Sequence, residues 1–173
     1  EYVLLISTVS GLWRYMIGDT VIITDKERAE IIISGRTKHF LNVVGEQLSL
    51  HQMNNAILKV QEKFGLEIKE FTVASIQHNN NKYINKWYLG VDGDDLTPDV
   101  ADFLDVELQE NNKNYRVARQ QTLDHIQVQL IPLHYFHKWS ENFKKLGGQV
   151  KIPRVMKKEQ FSEFETYIST LSK

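Results

Sequence analysis

The sequence predicts an α/β (α+β) protein, a small mixed sheet with packed helices, preceded by a β-rich strip belonging to a larger domain. Two changes of texture predict it. Apolar runs of strand length follow one another from Glu1 to about Gly35, and amphipathic helices alternate with strands from about Thr37 onward. Length agrees: 173 residues can bury a sizeable core without disulfides, and the chain has no cysteine to make them.

The first strip reads strand after strand: YVLLIST, TVIITD and AEIIIS, separated by the turn-like pieces SGLWRYMIGD and DKER. These runs are apolar nearly throughout, which predicts burial on both faces or packing inside a barrel or sheet. The chain lacks an initiator Met and is strand-like from its second residue. A preceding segment that supplies this strand's neighbours is therefore expected.

In the second part, Ser49 and Gln52 form a capping box, and Leu50, Met53, Ile57, Val60 and Phe64 make one apolar stripe that Gly65 ends. A hairpin follows, IKEFTVASIQ and KWYLGVD around a polar turn from His78 to Lys82. Thr97 as cap and Pro98 at the first helical position predict a second helix, with Val100, Phe103, Leu104 and Leu108 inward. HIQVQLI alternates as a half-exposed strand. Phe136, Trp139, Phe143 and Leu146 stripe a third helix ended by Gly147-Gly148, and Phe161, Phe164, Ile168 and Leu171 stripe a terminal one.

Composition excludes several functions. Basic and acidic side chains balance at 21 to 22, which disfavours a nucleic-acid binder. No segment reaches the roughly 20 apolar residues of a membrane helix, and Tyr2–Ile6 is too short for a signal peptide. The missing cysteines fit a reducing compartment, so a cytoplasmic location without membrane contact is expected. His39, His51, His78, His125, His134 and His137 show no metal-ligand spacing, and no metal site is expected. A Gly-rich phosphate cradle and a GxSxG motif are absent.

Four patches do not read as packing. Gly11 to Asp19 ends in a carboxylate directly after Gly18, suited to accept hydrogen bonds from a vicinal diol; an ordinary turn between strands is the plainer alternative. Gly35-Arg36-Thr37-Lys38-His39 lies where the texture changes and suits either a hinge or a solvated loop. Asn42 to Gln47 precedes the first clear helix; Glu46 either faces a substrate amine or, more simply, adds acidic charge near a helix N-terminus. In Gly147 to Arg154, Lys151 on a glycine-flexible loop and Arg154 after Pro153 either meet phosphate oxygens or lie in solvent.

GLWRYMIGD followed by TV, SGRTKHFLNVVGEQL, Tyr115-Arg116-Val117-Ala118-Arg119 and GGQVKIPRVM run in order through nearly the whole chain. Together they resemble the C-terminal part of the auxin-responsive Gretchen Hagen family of acyl-acid amido synthetases, in a bacterial-type version, within the adenylate-forming superfamily. The resemblance implies a large N-terminal domain whose last strip is residues 1–35, a hinge at 36–38 and a mobile domain from 39 to 173. It implies ATP with Mg2+, activation of a carboxylic acid as its adenylate, and transfer of the acyl group to an amino acid. Asp19 then matches the residue binding the ribose hydroxyls, with Arg36 and Tyr15 at the same nucleotide. Lys151 matches the catalytic lysine that reaches the α-phosphate. Gly35, Thr37 and Lys38 match the hinge, and Arg154, Arg116 and Arg119 are supporting candidates. Met16 and Trp13 depart from the family pattern, which commonly has Arg and Tyr there, so nucleotide binding in this member is expected to differ. The implied partners are the chain's own N-terminal domain and the two small substrates, and the fragment alone is expected to be inactive. Thioester formation with coenzyme A, or a non-catalytic module docking a partner on the hairpin edge around Phe71 to Val91, are the alternatives.

Overall fold

A computed structural model describes residues 1–36, 40–79, 81–92, 99–142 and 152–171, with Arg36 and Asn142 described by backbone alone. It contains two three-stranded sheets and five helices among these residues. The first sheet is an antiparallel meander of β1 (Tyr2–Ile6), β2 (Tyr15–Asp25) and β3 (Glu30–Arg36). Asp25 turns the chain between β2 and β3 because its Oδ1 accepts from the amides of Glu27 and Arg28 at 2.9 and 3.0 Å.

The second sheet pairs β4 (Ile68–Asn79) antiparallel to β5 (Lys82–Val91), and β5 parallel to β6 (Leu123–Pro132). Parallel strands need a crossover, and α2 (Ala101–Asn111) with α3 (Lys113–Gln121) provides it. Around the sheet stand α1 (Leu50–Phe64), α4 (Leu133–Asn142) and α5 (Lys158–Leu171). Alternation along β5 sorts the core into two layers. Trp87, Leu89 and Val91 join the cluster under α1, α2 and α3, whereas Tyr88 joins Phe136, Trp139, Phe161 and Phe164 of α4 and α5. Gly90 belongs to the second face, where an added Cβ would lie 2.7 Å from the Phe136 ring.

Local signals set α1 as expected. Ser49 accepts from the Gln52 amide, Gln52 caps Ser49 in return, and Gly65 closes the helix at φ 66°. Thr97 and Pro98 lie outside the described residues. The second helix instead starts at Ala101 after Val100, which provides no side-chain cap, and Asp99 accepts from the Ala101 amide at 3.1 Å. Helix α3 was not expected. Asn112 starts it by accepting from the Tyr115 amide at 2.8 Å, and its inward face is only Tyr115 and Ala118. Phe143, Leu146, Gly147 and Gly148 fall outside the described residues.

Two expectations need correction. The apolar runs of the first sheet are not covered on both faces: Ile31, Ile32 and Ile33 are 51, 50 and 71 % exposed, and Tyr2, Leu5 and Met16 are exposed as well. Only the end near Thr20, Val21 and Gly35 is covered, where Gly35 meets Thr20 and Leu50. The hairpin is also not a free docking edge. β5 is the central strand, and β4 is met on its outer side at Val73 by Val155 in a parallel bridge.

Candidate functional site

Three regions carry the candidate residues. The first is the junction of β2 and β3. Between β1 and β2 the register jumps from Val3↔Thr20 to Leu5↔Met16, so Ile17, Gly18 and Asp19 stand against Leu4 alone. Gly18 accommodates the bulge at φ 88°, a conformation that disfavours a Cβ. On the other side of β2, Asp19 is the register partner of Arg36. Gly35 sits beside Thr20 in the next pair. Tyr15 lies on the far side of the bulge, opposite Ile6 and 51 % exposed, so the structure joins Asp19 with Arg36 but sets Tyr15 apart. Trp13 and Met16 are exposed on the same stretch. Thr37 and Lys38 are outside the described residues.

A polar knot ties the three strands together at this junction. The Glu1 carboxylate accepts from Thr20 Oγ1 at 2.8 Å and Ser34 Oγ at 2.6 Å, and the two hydroxyl oxygens lie 3.0 Å apart. Burial works against the Glu1 charge, but the hydroxyls of Ser34, Thr20 and Ser49 outweigh it and hold the carboxyl below its ordinary range.

The second region is the loop between Leu41 and Leu48, whose backbones exchange two hydrogen bonds and close it. Gly45 and Gln47 are both left-handed, at φ 90° and 43°, and this turns the intervening Glu46 inward. Glu46 is fully buried: Oε2 accepts from the amides of Val43 and Val44 at 3.1 and 2.7 Å, and Oε1 faces Ser75 Oγ at 3.1 Å. Ser75 in turn contacts Asn85 Oδ1 at 2.5 Å, while the Asn85 amide nitrogen is buried without a hydrogen-bond partner. Glu46 thus binds loop amides and a β4 hydroxyl, a short step before the N-terminus of α1. From α3, Asn112 and Asn114 hold Gln47 through its carbonyl and side chain.

Above Ser75 opens a cleft of about 640 Å3. Phe40 to Val43 form one wall and Val155 to Glu159 the other, with Gln77 and Tyr83 between. Sequence reasoning named neither this cleft nor the Glu46–Ser75 link beneath it, because both depend on contacts between distant segments.

The third region holds the arginines. Arg116 donates to the Gln109 carbonyl at 3.0 and 2.9 Å. Arg119 forks onto the Asp105 carboxylate at 2.9 and 3.0 Å and also binds the Leu123 and Asp124 carbonyls. Tyr115 donates to the same Asp105 at 2.7 Å. Burial lowers the guanidinium's preference for its charge, and Asp105 more than restores it. Burial and the adjacent Asp105 charge push the Tyr115 hydroxyl well above its usual range. Both arginines therefore serve the α2–α3 crossover. Arg154 lies elsewhere, on the segment alongside β4. Lys151 is outside the described residues.

Among the described residues no group of three or more His, Asp or Glu side chains is placed to hold a metal, and no helix is long and apolar enough to cross a membrane.

Comparison with known proteins gives a consistent picture. Residues 51–160 match the model of the GH3 family C-terminal domain, and residues 1–30 that of the GH3 family central domain. Two solved structures share the fold. One, a GH3.15 acyl acid amido synthetase, has a TM-score of 0.72 at 18 % identity over 92 % of this chain and 31 % of its own. The other, AtGH3.15 acyl acid amido synthetase in complex with 2,4-DB, has a TM-score of 0.68 at 22 % identity over 94 % and 32 %. The chain thus spans about a third of the length of each. A comparison with curated proteins found no match.

Proposed function

The chain belongs to the GH3 family, and from that premise we propose that it is the C-terminal part of an ATP-dependent ligase joining a carboxylic acid to an amino acid. The observation that carries the reading is the division of the chain. Central-domain sequence runs to Glu30 at the start of β3 and C-terminal-domain sequence begins in α1; Asp19, inside the first, is the register partner of Arg36, which lies between the two. Residues 1–35 are then the last strip of the larger part, 36–38 the hinge and 39–173 the mobile domain.

In this reading the acid's carboxylate attacks the α-phosphorus of ATP and pyrophosphate leaves. The amine then attacks the acyl carbon, AMP departs with the bonding pair, and the amine loses a proton. Asp19 accepts hydrogen bonds from the ribose hydroxyls, with Arg36 beside the nucleotide. The Lys151 ammonium meets charge as it develops on the α-phosphate, a contact typically worth roughly 10²–10³ in rate. Mg2+ would enter with ATP, carried on its phosphates, and would offset their charge there. Acid pocket and triphosphate loop belong to the rest of the enzyme, so this chain alone is inert because nothing holds the reactants together. Rotation at 36–38 lets the domain serve each step in turn, in the cytoplasm.

The test is pyrophosphate release by the full-length enzyme with ATP, Mg2+ and a panel of acids, beside this chain. Activity is expected only in the full-length protein. Lys151→Ala should cripple adenylation while sparing amide formation from supplied acyl-adenylate; equal loss of both steps overturns the assignment. Product analysis with coenzyme A and mixed amino acids checks the acceptor, and a thioester product would refute the amide reading.

A further inference from the structure

The cleft above Ser75 has a polar floor. Ser75 lines it half-buried, and its hydroxyl oxygen lies 3.1 Å from Glu46 Oε1 and 2.5 Å from Asn85 Oδ1. Glu46 and Asn85 are both closed off from solvent, at 0 % exposure. One hydroxyl proton cannot serve two acceptors. The oxygen and nitrogen of the Asn85 amide are nearly the same size, and a half turn that exchanges them resolves this. The nitrogen, otherwise buried without a partner, then donates to Ser75, and Ser75 donates to Glu46. A second lone pair on the Ser75 oxygen is left for a donor in the cleft.

The two walls set where the cleft stands and what charge it carries. The near wall starts at Phe40, four residues after Arg36, so at most roughly 14 Å separates their Cα atoms. The far wall is a strap along the outer edge of β4. Val73 donates its amide to the Arg154 carbonyl at 2.9 Å, and Met156 donates to the Val73 carbonyl at 3.0 Å. Arg154 pins the strap by donating to Glu70 Oε2 at 2.6 Å. At its end Lys157 and Lys158 outnumber Glu159, which leaves the exposed rim positive.

We propose that this cleft receives the amino acid acceptor, and that Ser75 takes a proton from its amine while passing its own to Glu46. The proposal rests on the ligase reading and gives its second step a site. An α-amino acid carries an ammonium and a carboxylate. The ammonium matches a hydroxyl backed by a buried carboxylate, and the carboxylate matches Lys157 and Lys158. Phe40, Val43, Val155 and Met156 present apolar surface to the side chain. An ammonium cannot attack an acyl carbon until it loses a proton. Its N–H bond breaks toward Ser75 Oγ as the Ser75 proton moves to Glu46 Oε1, leaving a neutral amine, an intact serine and a neutral Glu46. The amine lone pair then attacks, AMP departs with the bonding pair, and the second amine proton goes to water. Glu46 returns its proton through Ser75 once the product has left.

The experiment follows amide formation by the full-length enzyme from supplied acyl-adenylate and an amino acid across pH, beside pyrophosphate release from ATP and acid. Ser75→Ala should lower kcat for amide formation by roughly 10²-fold and leave pyrophosphate release at the parent rate. The loss should shrink as pH rises, because solution then supplies free amine. Ser75→Thr keeps the hydroxyl and should retain most of the rate. Glu46→Gln keeps the shape and should share both the loss and its pH dependence, which a purely structural defect would not show. Hydroxylamine, already unprotonated at neutral pH, should be acylated equally by parent and Ser75→Ala. Lys157→Ala with Lys158→Ala should raise KM for the amino acid by about fivefold but not for the amine that lacks its carboxylate. Parent-rate amide formation in Ser75→Ala, equal loss in both half-reactions, or an equal loss with hydroxylamine would overturn the proton transfer and leave the ligase reading standing. A full-length enzyme that forms no amide from any acid and amino acid would overturn the ligase reading, and the acceptor site with it.

Discussion

Replacing Glu46 tests the closed loop between Leu41 and Leu48 directly. Its carboxylate accepts three hydrogen bonds from a fully buried position, two of them from backbone amides. Hydrogen bonds to a charged group contribute about 1.5–3 kcal/mol each. Val43 is 54 % exposed, so its amide recovers part of its loss from water. Glu46→Ala is therefore expected to cost roughly 2–4 kcal/mol. Glu46→Gln keeps an acceptor for the two amides and offers Ser75 a donor instead, and should cost roughly 1–2 kcal/mol. Urea unfolding followed by tryptophan fluorescence reports both, since Trp87 and Trp139 are buried at 0 and 4 % exposure. With an m-value near 2 kcal/mol/M, a 3 kcal/mol loss moves the midpoint by roughly 1.5 M. An Ala variant within about 0.5 kcal/mol of the parent would refute the hydrogen-bond account. A Gln variant as damaged as the Ala variant would show that charge, rather than shape and donors, holds the loop.

Two further outcomes follow from buried contacts. Arg119→Ala leaves the Asp105 carboxylate buried without its cation, with only the neutral donors Tyr115 and Gln109, and should destabilise the chain by about 3–5 kcal/mol; calorimetry showing under 1 kcal/mol would contradict it. Gly90→Ala pushes a Cβ into the Phe136 ring, whose atoms lie 2.7 and 2.9 Å from the new carbon. An overpacking cost of about 1–3 kcal/mol is expected from denaturant midpoints, and a neutral result would mean that the α4 layer shifts freely.

What was legible in the sequence was what is decided locally. Ser49, Gln52 and Gly65 fixed both ends of α1 because caps act within one turn. The pairing of Asp19 with Arg36 was also within reach. Each lies six residues beyond the Asp25↔Glu30 pair, and the two register shifts between them cancel. Alternation in HIQVQLI identified β6 but carried no information on its direction, which the α2–α3 crossover decides. Helix α3 was missed because its inward face has only Tyr115 and Ala118, too few for a periodic stripe. The buried polar groups were illegible for a different reason: Glu46 meets Ser75 across 29 positions and Arg119 meets Asp105 across 14. A charged residue of that kind reads as surface until its distant partner is placed. The apolar runs of β1 to β3 were read correctly as strands, yet their composition says nothing about which segment covers them.

The strap on β4 has a consequence for the order in which the chain assembles and opens. β4 and β5 are joined by a short hairpin, which zips locally, whereas β6 must wait for the crossover to close. Val155 meets Val73 across 82 positions and through one isolated bridge, so it docks after the sheet exists. The same arithmetic runs in reverse on opening. Releasing the strap breaks two backbone bonds at Val73 and leaves the ladder between β4 and β5 intact. Amide protons of Val73 and Met156 should therefore exchange with solvent through a local fluctuation, while those in the centre of β5 exchange only when the whole sheet comes apart.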